Sequence, residues 1–362
     1  MSREDKIKEL EEELSTTKYN KRTQHHVGLV KAKIAKLKEE IETKKRGKGK
    51  SEGFVLKKTG DATVVLVGYP SVGKSTLLNK LTNAESKVAE YEFTTLTVIP
   101  GMLEYKSAQI QIFDVPGIVG GAAEGTGRGK EVLAAIRSAD MIMILIDINR
   151  LDHYKIVQKE LYDSGFRLNK KMPDVKIKKT PKGGISVNST VPLDIDRKTF
   201  EGILNEFKVT NADVLIRTRI NDDELIDVVE GNKKYLPGIV IVNKMETVSE
   251  EKLQEAKARY PEAIFVSAEL GINLEELKEK IFSGLKMIRI YLKQPGKEAD
   301  VKEPLIMRQG DRLNELCIKL HREFVKKFRF ARIWGSVKYD GQKITKLAHE
   351  LQDRDIVELH LR

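Results

Sequence analysis

Short apolar runs recur along the chain between polar and glycine-containing segments. Residues 63–67, 109–113, 141–146, 238–242 and 263–266 have strand length and are bounded by turn-forming residues, which predicts five strands. Helical spacing dominates elsewhere. Val27, Val30, Ile34, Leu37 and Ile41 form one apolar stripe on a basic helix over 22–42, and 2–14 predicts a second helix, giving a hairpin. Residues 43–52 carry no apolar stripe and predict a basic linker. Between the strand at 141–146 and that at 238–242 lies roughly three times the length of an ordinary crossover. Strand-like 184–190 and 212–216 and helical 197–207 and 222–229 fill it, so 166–234 predicts a small α/β insertion. A helix over 274–289 precedes a linker at Gln294-Pro295-Gly296-Lys297. Beyond it the pattern predicts strand 304–307, helix 312–320, strand 331–337, a turn at Asp340-Gly341 and strand 356–361.

Candidate chemistry begins directly after the first strand. Residues 68–75 read GYPSVGKS, the phosphate-loop spacing G-x-x-x-x-G-K-S, and 75–81 predicts the helix that follows it. Gly68 and Gly73 allow the tight turn in which the amides around Ser71 and Val72 face a phosphate chain. Lys74 would stand between the β- and γ-phosphates, Ser75 would offer its hydroxyl to Mg²⁺, and Thr76 continues the helix N-terminus. The strand at 109–113 ends in Asp114-Val115-Pro116-Gly117, where Asp114 can hold water on Mg²⁺ and the Gly117 amide can sense the γ-phosphate. Thr95, in preference to the adjacent Thr94, is the candidate to complete the metal shell. Lys74, Thr95 and Gly117 are thus the candidate catalytic set, and Ser75, Thr95 and Asp114 the candidate metal ligands. The strand at 238–242 ends in Asn243-Lys244-Met245-Glu246, and that at 263–266 in Ser267-Ala268-Glu269. They resemble the N-K-x-D and S-A-x motifs that read guanine. Glu246 would accept the N1–H and exocyclic amine, Lys244 would cover the base, and the Ala268 amide would donate to O6. A nucleoside triphosphate is the expected ligand.

Two departures bear on activity. Glu246 stands where aspartate is usual, which keeps the acceptor chemistry but moves it by a methylene; GTP remains the expected base, with ATP the alternative. Ile118 stands where a water-orienting glutamine follows D-x-x-G in Ras-like enzymes, so intrinsic hydrolysis is expected to be slow and to await a partner or a monovalent cation such as K⁺. Arg128 and Lys130 are candidate internal cations, with solvated charge the alternative. A nucleotide-gated scaffold with negligible hydrolysis is the competing class.

With GYPSVGKS, YEFTTLT, DVPGIVGGAAEGTGRGKEVL, NKME and SAE in one chain, the sequence resembles the Obg-related GTPases. Among these it most resembles the developmentally regulated GTP-binding (DRG) proteins of archaea and eukaryotes, from KRTQHHVGLVKAKIAKLK at 21–38 to the C-terminal module. The resemblance implies a cytoplasmic, ribosome-associated GTPase that binds GTP and GDP with Mg²⁺. It implies an α/β fold: a P-loop GTPase domain with an α/β insertion, an N-terminal helical hairpin and a C-terminal β-grasp (TGS) domain. The expected limits are 1–50 for hairpin and linker, 51–165 and 235–292 for the two parts of the GTPase domain, 166–234 for the insertion and 293–362 for the TGS domain. Ribosome or rRNA is the expected partner, with an accessory protein a further candidate, no membrane, and a monomeric state.

Charge distribution supports that expectation. The 362 residues carry a formal net charge of +11, placed at the ends. Residues 1–50 hold 15 Lys and Arg against 9 Asp and Glu, residues 301–362 hold 14 against 9, and the remainder balances. Basic flanks around a neutral centre predict contact with a polyanion. In the C-terminal flank Arg322, Lys326, Lys327, Arg329 and Arg332 interleave with Phe324, Phe328 and Phe330. The expectation is phenylalanines in the core and cations outward, giving phosphate contact without base stacking. Lys170, Lys171, Lys176, Lys178 and Lys179 form either an RNA-facing edge of the insertion or solvated charge. The single cysteine, Cys317, excludes a disulfide framework and a cysteine metal cluster. His25 and His26 are neighbours in sequence, do not share a helical face, and are assigned no metal. The apolar run at 141–146 is far too short to cross a bilayer, and charge from Arg3 onward argues against a signal peptide.

Overall fold

A computed structural model describes residues 2–18, 20, 22–46, 59–82, 99–115 and 127–362. The chain forms two compact units, residues 1–53 with 165–235, and residues 54–164 with 236–362.

The second unit is built on a six-stranded sheet in the order Ile264–Phe265, Gly238–Asn243, Met141–Asp147, Ala62–Val67, Ala108–Asp114, Ile99–Tyr105. The first five are parallel; the last pairs antiparallel at the edge. Ala62–Val67 is buried at every position, as expected of a central parallel strand with both faces covered. Leu77, Leu78 and Leu81 of helix Lys74–Leu81 and Leu277, Ile281 and Phe282 of helix Leu274–Gly284 pack on the sheet in one apolar cluster. All parallel strands point the same way, so their C-terminal ends share one edge, where open α/β sheets bind ligands.

A five-stranded sheet follows, ordered Ala299–Arg308, Met287–Lys293, Ile356–Leu361, Phe328–Trp334, Gln342–Ile344, with helix Leu313–Leu320 on one face. Met287–Lys293 and Ile356–Leu361 pair in parallel and the remaining pairs are antiparallel, a β-grasp arrangement. The expected helix over 274–289 is too long. It ends at Gly284, Lys286 turns at φ 53°, and Met287 opens a strand whose Ile288, Ile290 and Leu292 line the β-grasp core. The expected linker at Gln294 to Lys297 is the hairpin turn to Ala299–Arg308, closed by Lys297 N–H donating to Gln294 O at 3.0 Å. Met287 and Ile306 share the GTPase-sheet cluster, and Lys319–Asp61 (3.2 Å) and Arg308–Asp140 (3.0 Å) pair the two sheets' segments.

In the first unit, helices Arg3–Thr16 and Gln24–Arg46 form the expected hairpin, each longer than its apolar pattern alone indicates. Ile7, Val30 and Ile34 make its seam, flanked by Leu10, Leu14, Leu37 and Ile41. Gln24–Arg46 also packs against helix Arg197–Glu206. A Cβ at Gly28 would approach Thr199 to 2.8 Å and one at Gly202 would approach Leu29 to 2.9 Å, so glycine permits the close crossing. The insertion holds a three-stranded sheet with Ala212–Ile216 between Val175–Lys179 and Ile185–Ser189. Val175–Lys179 was not anticipated, because its outward residues are lysines and only Val175 and Ile177 face the core. Among the described residues no helix is long and apolar enough to cross a membrane, and no three His, Cys, Asp or Glu side chains cluster as metal ligands.

Candidate functional site

The loop after Ala62–Val67 takes a shape that its glycines dictate. A Cβ at Gly68 would overlap the Leu145 carbonyl oxygen. Gly73 lies at φ 94°, and a Cβ there would overlap the Asn243 side-chain amide. Ser71 is held at φ 63°. Lys74 opens the helix, and its half-buried Nζ donates to the carbonyls of Gly68 (3.2 Å) and Tyr69 (3.1 Å). Burial pushes its ammonium below the ordinary value, with the Asp114 charge acting in the opposite sense. Thr76 is half-buried one residue beyond Ser75.

Ser75 Oγ donates to Asp114 Oδ2 at 2.9 Å. The other oxygen, Asp114 Oδ1, is buried with no hydrogen-bond partner among the described residues. An orphaned carboxylate oxygen beside a hydroxyl is a hard-oxygen donor set, and it fits Mg²⁺ and its waters.

Asn243 links the loops. It is 2 % exposed; its Nδ2 donates to Val72 O (2.9 Å), and its Oδ1 accepts from Ala268 N–H (2.9 Å). One side chain therefore ties the phosphate loop, its own strand end and the Ser267-Ala268-Glu269 loop together. The Ala268 amide, expected to face guanine O6, is here engaged by Asn243. Lys244 sits at φ 65°, and its Nζ donates to Ser71 O (2.8 Å) and pairs with Asp147 (2.8 Å). Burial pushes the Asp147 carboxyl up, yet hydrogen bonds from Lys244 and Asn149 hold it below the usual carboxylate value. Glu246 is exposed on the turn Met245–Thr247. Ser267 is fully buried, its Oγ accepting from Leu270 N–H at 3.1 Å, while Glu269 is exposed.

The structure thus brings together Gly68, Ser71, Val72, Gly73, Lys74, Ser75, Thr76, Asp114, Asn243, Lys244, Glu246, Ser267, Ala268 and Glu269 at the strand ends. Thr94, Thr95, Gly117 and Ile118 lie outside the described residues, as do the side chains of Arg128 and Lys130. Sequence reasoning missed Asn149 and Thr247. Asn149 Nδ2 donates to Thr247 Oγ1 (2.9 Å), whose hydroxyl donates to Lys244 O (2.8 Å), fixing the turn that carries Glu246. It missed Asp147 as the Lys244 partner, although Asp147 ends the 141–146 run on the same sheet edge as the other motifs. It also missed His153, whose ring stacks on Tyr69 at 3.9 Å.

This fold and this strand-end site define a P-loop GTPase. The model of the family described as a 50S ribosome-binding GTPase matches residues 63–179, that of the C-terminal region of this GTPase domain residues 182–287, and that of the TGS domain residues 288–361. An uncharacterized GTP-binding protein of Methanocaldococcus jannaschii is 52% identical, covering 100% of this chain and 94% of its own. Developmentally-regulated G-protein 3 of Arabidopsis thaliana is 44% identical over 98% of this chain and 97% of its own. Developmentally-regulated GTP-binding protein 2 of Homo sapiens is 41% identical over 98% of each chain. The chain belongs to the developmentally regulated GTP-binding protein family and is a GTPase that binds guanine nucleotides.

Proposed function

We propose that this GTPase is a ribosome-associated regulator of translation in the cytoplasm, acting as a monomer and hydrolysing GTP slowly to GDP and phosphate. The observation that carries the switch is the direct Ser75–Asp114 hydrogen bond. It couples the strand end that leads to Gly117 to the helix that follows the phosphate loop. In this reading Gly68, Ser71, Val72, Gly73, Lys74 and Thr76 hold the phosphates, and Ser75, Asp114 and Thr95 hold Mg²⁺. Lys74, Thr95 and Gly117 respond to the γ-phosphate. Lys244 and Glu246 read guanine, and Ser267, Ala268 and Glu269 shape its pocket while Asn243 holds the loops. Mg²⁺, when bound there, would supply neutralisation of the triphosphate charge. Ile118 at the water-orienting position supports slow turnover that a partner or K⁺ accelerates. In this reading hairpin (1–50), GTPase domain (51–165 and from 235), insertion (166–234) and TGS domain separate the nucleotide engine from its binding arms, with the last boundary, expected at 292/293, moved to Met287, which opens the first β-grasp strand.

Ribosomal RNA as partner rests on the basic flanks and on the ribosome-binding description of the matching family. Arg322, Lys326 and Lys327 are exposed on helix Arg322–Lys327, and Arg329 and Arg332 are exposed on the strand that follows. Truncation at residue 301 is a poor test, since Ile306 belongs to the GTPase-sheet cluster and its loss would damage the engine. The better test is cosedimentation of the full chain with ribosomes over a salt series, in a GTP analogue or in GDP. Retention is expected to be greater with the analogue. Replacing the five cations by glutamine is expected to weaken it and flatten its salt dependence by counterion release. Equal retention in both nucleotides, or a five-fold-substituted chain that binds unchanged, contradicts the proposal.

A further inference from the structure

The β-grasp sheet has two faces, and only one is core. Ile288, Ile290, Ala331, Ile333 and Val357 point to the helix side. Because side chains alternate along a strand, their neighbours fill the opposite face. Phe330 belongs to that opposite face, contrary to the expectation that all three phenylalanines are core. A bulge between Phe328 and Phe330 shifts the register, so Phe328 packs on the core while Phe330 stacks on His360 with ring centroids 4.2 Å apart.

Register orders this face into rows. Tyr291, Ile356 and Trp334 align across three strands, then Lys293, Glu358, Arg332 and Lys343 across four, then His360 and Phe330. A row of three cations thus lies between two rows bearing aromatic rings. Glu358 is the sole carboxylate in that row, and it is occupied by His360 (2.6 Å) and Lys293 (3.6 Å). Lys293 Nζ stands 4.2 Å from the Trp334 ring and Lys343 Nζ 4.4 Å from the Phe330 ring. Gly341 backs the indole, where a Cβ would come within 3.2 Å of it. Phe330 and Trp334 are four residues apart on one strand, roughly 13 Å, with Arg332 midway between them, a span of about two nucleotides in an extended single strand.

We infer that this face is a binding platform for single-stranded RNA, with bases stacking on Phe330 and Trp334 and phosphates meeting Lys293, Arg332 and Lys343. The ammonium groups that lie over the rings in the free protein sit on flexible stems and transfer to phosphate when bases take their place. Aromatic faces bind any base and cations bind any phosphate, so recognition is of unpaired strand rather than of sequence. The inference deepens the ribosome reading by naming the RNA form contacted, and the use of short RNA without ribosomes lets each fail separately.

Trp334 is the chain's single tryptophan, so tryptophan fluorescence excited beyond the tyrosine absorption band reports this face alone. Titrating the full chain with a short single-stranded RNA is expected to quench it saturably, more strongly than an abasic strand of equal length or a duplex. In anisotropy with labelled RNA, Phe330→Ala is expected to weaken binding roughly tenfold with an unchanged salt slope, and Phe330→Tyr to restore it. Lys343→Gln is expected to lower the salt slope by about one. GTP binding in each variant serves as the control for folding. Quenching by the abasic strand or by an acidic peptide equal to that by RNA would make the face a general cationic surface and overturn the inference. So would a Phe330→Ala chain that binds RNA as the unmodified chain does.

Discussion

Lys74→Ala is expected to lower GTP affinity on the order of a hundredfold or more while leaving the melting temperature nearly unchanged. Charge-assisted hydrogen bonds to a phosphate contribute about 1.5–3 kcal/mol each, and an ammonium standing between two phosphates, as proposed for Lys74, would make more than one of them. Among the described residues Nζ donates to the carbonyls of Gly68 and Tyr69, groups at the rim of the loop that water can solvate once the lysine is gone. The loss is expected to be larger for GTP than for GDP, since the γ-phosphate contact exists only in the former. Titration with fluorescent GTP and GDP, alongside thermal unfolding, checks both parts. Unchanged GTP affinity would remove Lys74 from the site.

Asn243→Ala acts by a different route. It would leave the Val72 carbonyl and the Ala268 amide without their partner inside a buried joint. An unsatisfied buried group costs about 1–3 kcal/mol, so a loss on the order of 2 kcal/mol, about thirtyfold, is expected in nucleotide affinity. GDP and GTP should suffer alike, because the joint holds the loops and touches no γ-phosphate contact in this reading. Asn243→Asp should not rescue, since its second oxygen would face the Val72 carbonyl instead of donating to it. Affinities within about twofold of the unmodified chain would mean that the loops hold their shape without this side chain.

The contrast between these residues shows what the sequence could carry. Lys74 belongs to a contiguous eight-residue motif whose spacing states its chemistry, and the strand before it is announced by an unbroken apolar run. Asn243 was also legible as part of a motif, but its contact with Val72, 171 positions away, exists only through the parallel pairing of the strands between them. The same holds for Asn149 and Thr247, 98 positions apart, which hold the Glu246 turn without belonging to any string. Where local patterns misled, two periods fitted one segment. Leu285 to Arg289 continues a helical stripe equally well, and sheet pairing with Ala299–Arg308 and Ile356–Leu361 decides for strand from Met287. Phe330 failed for a related reason: interleaved aromatics and cations do not reveal which face a strand turns to the core. A bulge reverses the facing two residues from Phe328.

Guanine selectivity tests the strand-end site most directly. Glu246 lies on a turn fixed by Thr247 and Asn149, beside Lys244, which is itself anchored to Ser71 and Asp147. In the proposed reading this carboxylate would accept two hydrogen bonds from guanine and would meet no matching donors on adenine, and a site left with an unpaired acceptor rejects the wrong base strongly. Competition of GTP, ITP and ATP against a labelled guanine nucleotide, in the unmodified chain and in Glu246→Ala, is the measurement. The prediction is GTP ahead of ATP by well over tenfold, ITP between them for want of the exocyclic amine, and most of that order lost in Glu246→Ala. Equal competition by ATP and GTP in the unmodified chain, or an order that survives in Glu246→Ala, would contradict it.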